Sequence, residues 1–417
     1  MKDVVVLSNH PHGQQLRYDR IAEPEHFRLH VITSELGATR MRRAADRADL
    51  AGLYVVPEFS LHTLSAVVDG AIRPGTAALE FVTNHESVVS VCGRLRQRYG
   101  VSASDYERFT NKDAMKERLR RGGIRFPRYV LFDKTRYAAE GARYLDELLC
   151  QVDFPLFVKP LDAAGSVGTG KIEARVDFDA WATAAIESPY EFEVDEFIDG
   201  TLYHCETLLK HGQILYTQVC EYSRPCFDFT LGAPLGSITL PSDHADAVAL
   251  RRFADDVHRE LADDISGVTH LEVFKDHRGD LVFVEIAYRT PGVLASEMYE
   301  KSLGLSLPEY HIRLQTSAAM RLEFQAQAYA ARFIYPRVAG VVTDFVAADI
   351  ASAHEFQWRI ATGDTLAKSE RISQLAGTML LWNADFAQLH ADFRSLANRV
   401  PYRVTPPCQL ERDTFLG

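Results

Sequence analysis

The chain has 417 residues, with 57 acidic against 46 basic side chains, a net charge of −11 and 47% apolar residues. That length supports two to four lobes with sizeable cores, and a negative balance with no basic stripe among aromatics excludes nucleic acid as the expected partner. The apolar run at residues 4–7 is too short for a signal h-region, no stretch approaches a membrane span, and the six cysteines are scattered without a C-x-x-C pair; a cytoplasmic chain with reduced thiols is expected.

Residues 4–7, 29–32 and 53–56 predict short strands, alternating with helix-like patterns through residue 67 and over 77–81, which is the rhythm of a small parallel α/β lobe. Ser8-Asn9-His10-Pro11-His12-Gly13 follows the first strand, at the carboxyl end where open α/β sheets bind ligands. His10 and His12 are therefore either site residues or ordinary solvated loop histidines. A boundary is expected near 101–110. Thr110-Asn111-Lys112-Asp113 opens an amphipathic helix with Thr110 as N-cap, and Gly122-Gly123 closes it. Lys112 then sits in the first turn, where the helix dipole disfavours a cation unless an anion lies near. A helix over 137–150, a strand at 157–159, a helix over 179–186 and a strand over 192–198 follow.

Within that succession, Phe157-Val158-Lys159-Pro160 runs into Asp162-Ala163-Ala164-Gly165-Ser166-Val167-Gly168-Thr169-Gly170-Lys171. An apolar strand delivers one lysine beside a glycine-rich loop whose backbone N–H groups can approach an anion closely, a combination suited to a polyphosphate. Residues 165–171 satisfy G-x-x-x-x-G-K, but Ile172 stands where that motif needs a hydroxyl, and residues 172–176 read as a strand rather than a helix. The spacing also fails G-x-G-x-x-G. A glycine flap between two strands is the remaining reading.

The strand containing Asp195, Glu196 and Ile198 leads through Asp199-Gly200 into residues 202–209 and 214–219, read as antiparallel strands with glycine turns at both junctions. After a helix over 245–261, strands at 269–274 and 281–289 are joined by the short polar turn 275–280, so Glu272 and Glu285 are expected as neighbours across the pair. Two carboxylates so placed repel unless a cation lies between them, and Mg²⁺ takes such oxygen ligands together with phosphates. Alternation alone leaves either glutamate free to face solvent instead.

Taken in order, Lys112, Lys159, the glycine flap, Asp195-Glu196-Phe197-Ile198-Asp199-Gly200, Tyr203-His204, His270-Leu271-Glu272 and Glu285-Ile286-Ala287-Tyr288-Arg289 resemble the ATP-grasp carboxylate–amine ligases, and among them the L-amino-acid ligases. The resemblance covers about residues 110–315. It implies an α/β (α+β) ATP-grasp fold: an N-terminal parallel α/β lobe (1–105), a small ATP-grasp lobe (106–195), a larger antiparallel lobe (196–315) and a C-terminal lobe (316–417) closing the substrate site. It further implies that Lys112 and Lys159 contact the α and β phosphates of ATP, and that Gly165, Ser166, Val167 and Gly168 fold over the γ phosphate. Asp195, Glu196 and Ile198 would meet adenine, Glu272 and Glu285 would hold Mg²⁺ (Mn²⁺ as the alternative ion), and Arg289 would orient a substrate carboxylate or stabilise charge on the phosphoryl group.

Two positions depart from the family pattern. Ala287 stands where an asparagine often completes the magnesium shell, and Leu202 stands where a carboxylate often binds ribose, leaving His204 or Glu206 for that task. The implied reaction joins a carboxylate and an amine, both small molecules and expected to be amino acids, through an acyl phosphate. No Ser–His or Cys–His nucleophile pair competes with that route. A catalytically silent nucleotide-binding module and a carboxylase-type enzyme are the alternatives, and a homo-oligomer is compatible with the composition.

Overall fold

The computed structural model describes residues 1–9, 16–41, 49–72, 78–102, 104–163, 165, 167–317, 322 and 328–405. The sequence candidates His10, His12 and Ser166, and the cysteine at 408, lie outside the described residues. Strands β1 (Lys2–Ser8), β2 (Phe27–Thr33), β3 (Leu50–Val55) and β4 (Leu79–Thr83) form a parallel sheet in the order β3-β2-β1-β4. Residues 4–7 are fully buried, as a parallel strand covered on both faces requires. The helix-like reading of 77–81 is corrected here. Leu-Glu-Phe-Val-Thr pairs with β1, its aromatic and β-branched residues suiting a pleated surface better than a short helix.

A second sheet is built from β5 (Tyr129–Leu131), β6 (Leu156–Pro160), β7 (Gly170–Ile172) and β8 (Phe192–Glu196), in the order β5-β8-β6-β7 with antiparallel pairing. Phe132, Tyr144 and Phe178 fill its core under flanking helices. Several local expectations shift. The helix Lys112–Arg121 is capped by Asn111, whose side chain accepts from the Ala114 N–H at 3.1 Å, not by Thr110. The segment expected as one helix over 137–150 is two, Lys134–Glu140 and Ala142–Leu149, broken at Gly141 with φ of 52°. The strand expected over 172–176 ends at Ile172, because the helix Arg175–Ile186, with Ala174 as its N-cap, takes up the end of that range.

The largest sheet has eight strands in the order β13-β12-β9-β10-β11-β14-β18-β16. These are β9 (Gly200–Lys210), β10 (Gln213–Tyr222), β11 (Leu235–Thr239), β12 (Gly267–Asp276), β13 (Leu281–Ala287), β14 (Tyr329–Pro336), β16 (Ala353–Trp358) and β18 (Leu375–Asn383). The remaining strands β15 (Gly340–Phe345), β17 (Thr365–Leu366) and β19 (Tyr402–Thr405) form a small sheet of their own. Because β14, β16 and β18 extend the same sheet as β9 to β13, the expected lobe division at residue 316 falls inside one continuous sheet. The Gly200 junction is likewise not a hairpin: β8 and β9 belong to different sheets, and a Cβ at Gly200 would lie 2.3 Å from the Lys275 carbonyl on β12.

Alternation along β9 and β12 assigns two faces. Tyr203, Cys205, Leu271 and Val273 pack under the helix Ala245–Leu261, so His204, Glu206, His270 and Glu272 point the other way. His258 on that helix is buried. Its ring bonds the Ala254 carbonyl and the Thr269 hydroxyl, both at 2.6 Å. His311, on the helix Leu307–Thr316, accepts from the Val268 N–H at 2.9 Å and donates to the Thr83 carbonyl at 2.8 Å, linking the large sheet to the N-terminal one. Asn84 adds a reciprocal pair with Thr290, at 2.8 and 2.9 Å.

Burial pushes both histidines down to about 4. The unfolded chain protonates them near 6.5 and so binds more protons than the fold between these values; stability is therefore lost as pH falls from about 6.5 to about 4, by roughly 3 kcal/mol per histidine. Urea denaturation at pH 7 and 4.5 checks this. His258→Gln, which cannot titrate, should remove its share of the slope.

Candidate active site

Between the second sheet and the eight-stranded sheet lies a cleft of 440 Å³ whose lining includes Lys112, Lys159, Gly165, Val167, Ile198 and Glu285. They arrive from a helix N-terminus, strand β6, the loop before β7, the stretch just after β8 and strand β13. The Lys112 ammonium donates to the Ala163 carbonyl at 2.9 Å and lies 3.4 Å from Glu285, so a carboxylate answers the cation at the helix N-terminus. Gly165 and Gly168 have φ of 68° and 69°, left-handed conformations that glycine adopts without strain.

Lys159 leaves β6 into a ring of buried charges. Its ammonium is 3.2 Å from Glu193 and 2.9 Å from Asp195, while Lys116 touches the other oxygens of the same carboxylates at 3.0 and 2.8 Å. Burial pulls Lys159 down, but Asp195 and Glu193 outweigh it and hold its pKa raised; at Lys116 burial wins and the shift is downward. The Asp195 carboxylate, expected at adenine, is thus occupied by two lysines. Glu196 accepts from the Arg128 backbone N–H at 3.1 Å and its Nε at 2.7 Å. The Ile198 N–H follows the end of β8 with no backbone partner among the described residues, which leaves it available to a ligand at the cleft.

Glu272 and Glu285 stand directly opposite in the β12–β13 register, with a bulge just beyond Glu272. Glu272 accepts from Tyr222 Oη at 3.1 Å and lies 3.4 Å from His270 Nε2. Burial raises its pKa, yet His270 outweighs that and holds it lowered. Ala287 is opposite His270 and brings no oxygen. The donor set is two carboxylate residues lining one cleft, which suits a hard divalent cation that keeps several waters.

His204 is a correction. It was expected at ribose, but it is fully buried and absent from the cleft lining, where Leu202 stands instead. Two residues further along the same face, it reaches Glu206, whose Oε1 lies 2.7 Å from both His204 Nδ1 and His270 Nδ1. Tyr299 donates to the other oxygen. Burial raises the Glu206 carboxyl, but the two histidines outweigh it and hold it far below the usual range. Burial opposes protonation of His270 too, yet Glu206 and Glu272 push it up to about 9. The His204, Glu206 and His270 donors lie within 4.8 Å of one another, and hydrogen bonds among them already account for that proximity.

Arg289 is not in the cleft lining either. Its Nε bonds Glu86, at the start of the helix Glu86–Arg98 in the N-terminal lobe, and its Nη1 donates to the Thr290 carbonyl at 3.1 Å. Sequence reasoning missed Glu86, Lys116 and Glu193. Lys116 is one helical turn beyond Lys112, and Glu193 precedes Asp195 by two on the same strand face, so spacing carried a signal for both.

A solved L-amino acid ligase from Bacillus licheniformis superposes over 97% of this chain and 99% of its own, with a TM-score of 0.71 at 14% identity. The fold is that of the ATP-grasp ligases. An N5-carboxyaminoimidazole synthetase from Staphylococcus aureus, solved with ADP, matches with a TM-score of 0.64 at 12% identity over 94% of this chain and 96% of its own. The family model described as D-ala D-ala ligase C-terminus matches residues 119–311. In sequence, the chain is 26% identical over 245 residues to the L-arginine-specific L-amino acid ligase of Bacillus subtilis, covering 56% of each protein. It thus spans little more than half the length of that curated relative. No helix among the described residues is long and apolar enough to cross a membrane.

The two kinds of carboxylate should respond differently to substitution. Glu206→Leu strands two buried imidazoles and should cost about 3–5 kcal/mol in urea denaturation, whereas Glu285→Gln at the open cleft should cost less than about 1 kcal/mol.

Proposed function

We propose that this ATP-grasp chain is a cytoplasmic ATP-dependent ligase that joins a carboxylate and an amine, both amino acids, releasing ADP and phosphate. The observation that carries the reading is the convergence of Lys112, Lys159 and the opposed Glu272 and Glu285 on one cleft beside the glycine flap. Ile198 N–H meets the adenine edge, with the backbone of Glu196 beside it. Lys112 and Lys159 meet the phosphates. Glu272 and Glu285 would hold Mg²⁺, which when bound would supply neutralisation of the phosphate charge.

In the first step a substrate carboxylate oxygen bonds to the γ phosphorus, the bond to the bridging oxygen of ADP breaks, and an acyl phosphate forms; positioning and charge neutralisation are the main contributions. In the second, the amine nitrogen bonds to the activated carbonyl carbon, phosphate leaves, and the nitrogen gives up a proton. Arg289, held by Glu86 outside the lining of this cleft, would meet the far side of a substrate carboxylate with its remaining guanidinium donors. Ala163, Gly165, Val167 and Thr169, which line the cleft, would keep water from the acyl phosphate. A silent nucleotide-binding module is the second reading, favoured by Leu202 in the cleft and by Ala287 on β13.

Incubation with ATP, Mg²⁺ and pairs of amino acids should yield ADP, phosphate and one amide in equal amounts. AMP and pyrophosphate would contradict attack at the γ phosphorus, and nucleotide binding without phosphate release would favour the silent module. Glu285→Gln should lower turnover by roughly 100-fold at limiting Mg²⁺, with partial recovery as Mg²⁺ is raised. An unchanged Mg²⁺ titration of that variant would remove Glu285 from the metal site.

A further inference from the structure

The ring of Lys159, Glu193, Lys116 and Asp195 is closed: each carboxylate bridges both lysines, at 2.8 to 3.2 Å. Its charges sum to zero. Lys116 and Glu193 are fully buried and lie behind the cleft, whose lining includes Lys159 and Asp195 but neither of these two. The Lys116 ammonium is also capped by the Tyr129 ring at 3.9 Å, which fixes it away from the cleft. The fold alone does not call for this second ion pair, because apolar residues of similar volume serve a core as well or better than a buried salt bridge.

Resting on the ATP reading above, we propose that Lys116 and Glu193 are positioning residues that set the net charge facing the nucleotide phosphates. Of the three N–H donors of Lys159, Asp195 at 2.9 Å takes one, while Glu193 Oε1 at 3.2 Å pairs with it by charge and makes no hydrogen bond among the described residues, so donor capacity remains for a phosphate oxygen. Without Lys116, Lys159 would stand alone against two carboxylates, and the floor of the cleft would carry a net negative charge beneath an anionic ligand. With Lys116 in place the second carboxylate is neutralised from behind. Lys159 is then both oriented, by two carboxylates on the neighbouring strand, and able to attract phosphate.

The effect belongs to charge and not to shape, so it separates ligands that share adenosine but differ in phosphate. Calorimetric titration of the full chain with Mg·ATP and with adenosine is run on the wild type, Lys116→Met, Glu193→Gln and the double variant Lys116→Met/Glu193→Gln. Lys116→Met should weaken ATP roughly 10- to 100-fold and adenosine less than about threefold. The double variant, neutral again, should return ATP to within about threefold of wild type, and Glu193→Gln alone should tighten ATP several-fold with adenosine unchanged. Equal losses for ATP and adenosine in Lys116→Met, or a double variant no better than the single one, would overturn the charge role. Should Lys116→Met fail to fold, Glu193→Gln decides, because unchanged ATP affinity there also overturns it. A wild type that binds no ATP overturns the ligase reading together with this one, whereas ATP binding that ignores all three variants overturns only the charge role.

Discussion

Two carboxylates placed opposite each other on neighbouring antiparallel strands repel, and at Glu272 and Glu285 the rest of the molecule is arranged around that repulsion. Lys112 answers Glu285 from the helix of the second sheet, and His270 answers Glu272 from within its own strand. Arg289 follows two residues after β13 and is tied to Glu86 of the N-terminal lobe. Each lobe thus brings a charge to one place, and a change in lobe arrangement alters the electrostatics of the pair before it alters any packing.

Burial divides these charges into two kinds. Glu206 is enclosed by His204, His270 and Tyr299 and has every oxygen satisfied inside the protein, so its negative charge serves the fold and orients His270. Glu285 keeps about a quarter of its side-chain surface exposed and has a lysine at 3.4 Å, a looser arrangement that leaves oxygen lone pairs to the cleft. The contrast separates structural from ligand-directed carboxylates on a single sheet face, with Glu272 standing between them, held by Tyr222 and His270 and open on the side of Glu285.

How much of this was legible in the sequence depended on how local the cause was. The opposition of Glu272 and Glu285 follows from two strands and a short polar turn, all contiguous, and the glycine flap follows from composition. Leu79-Glu-Phe-Val-Thr misled because five residues cannot show a period, and only its pairing with β1 decides it. Lys116 and Glu193 become site residues through the β6–β8 register and the docking of a helix, and Glu86 through contact between lobes more than 200 positions apart. His204 failed for a subtler reason: alternation correctly gave its face, but a strand continues past the end of a cleft, and nothing in a sequence marks where the cleft stops.

The eight-stranded sheet draws strands from both sides of residue 316, with a consequence for how this chain can be divided. A fragment ending there would keep β9 to β13 and lose β14, exposing the β11 edge that now pairs with residues 331–334. An uncovered edge of buried residues such as Leu235 and Ile238 is a template for pairing with another chain. The half that carries the cleft is therefore not a separable module. Strands β14, β18 and β16 act as the edge protection of the sheet that carries the site, and shortened or chimeric versions joined at that point would self-associate through β11.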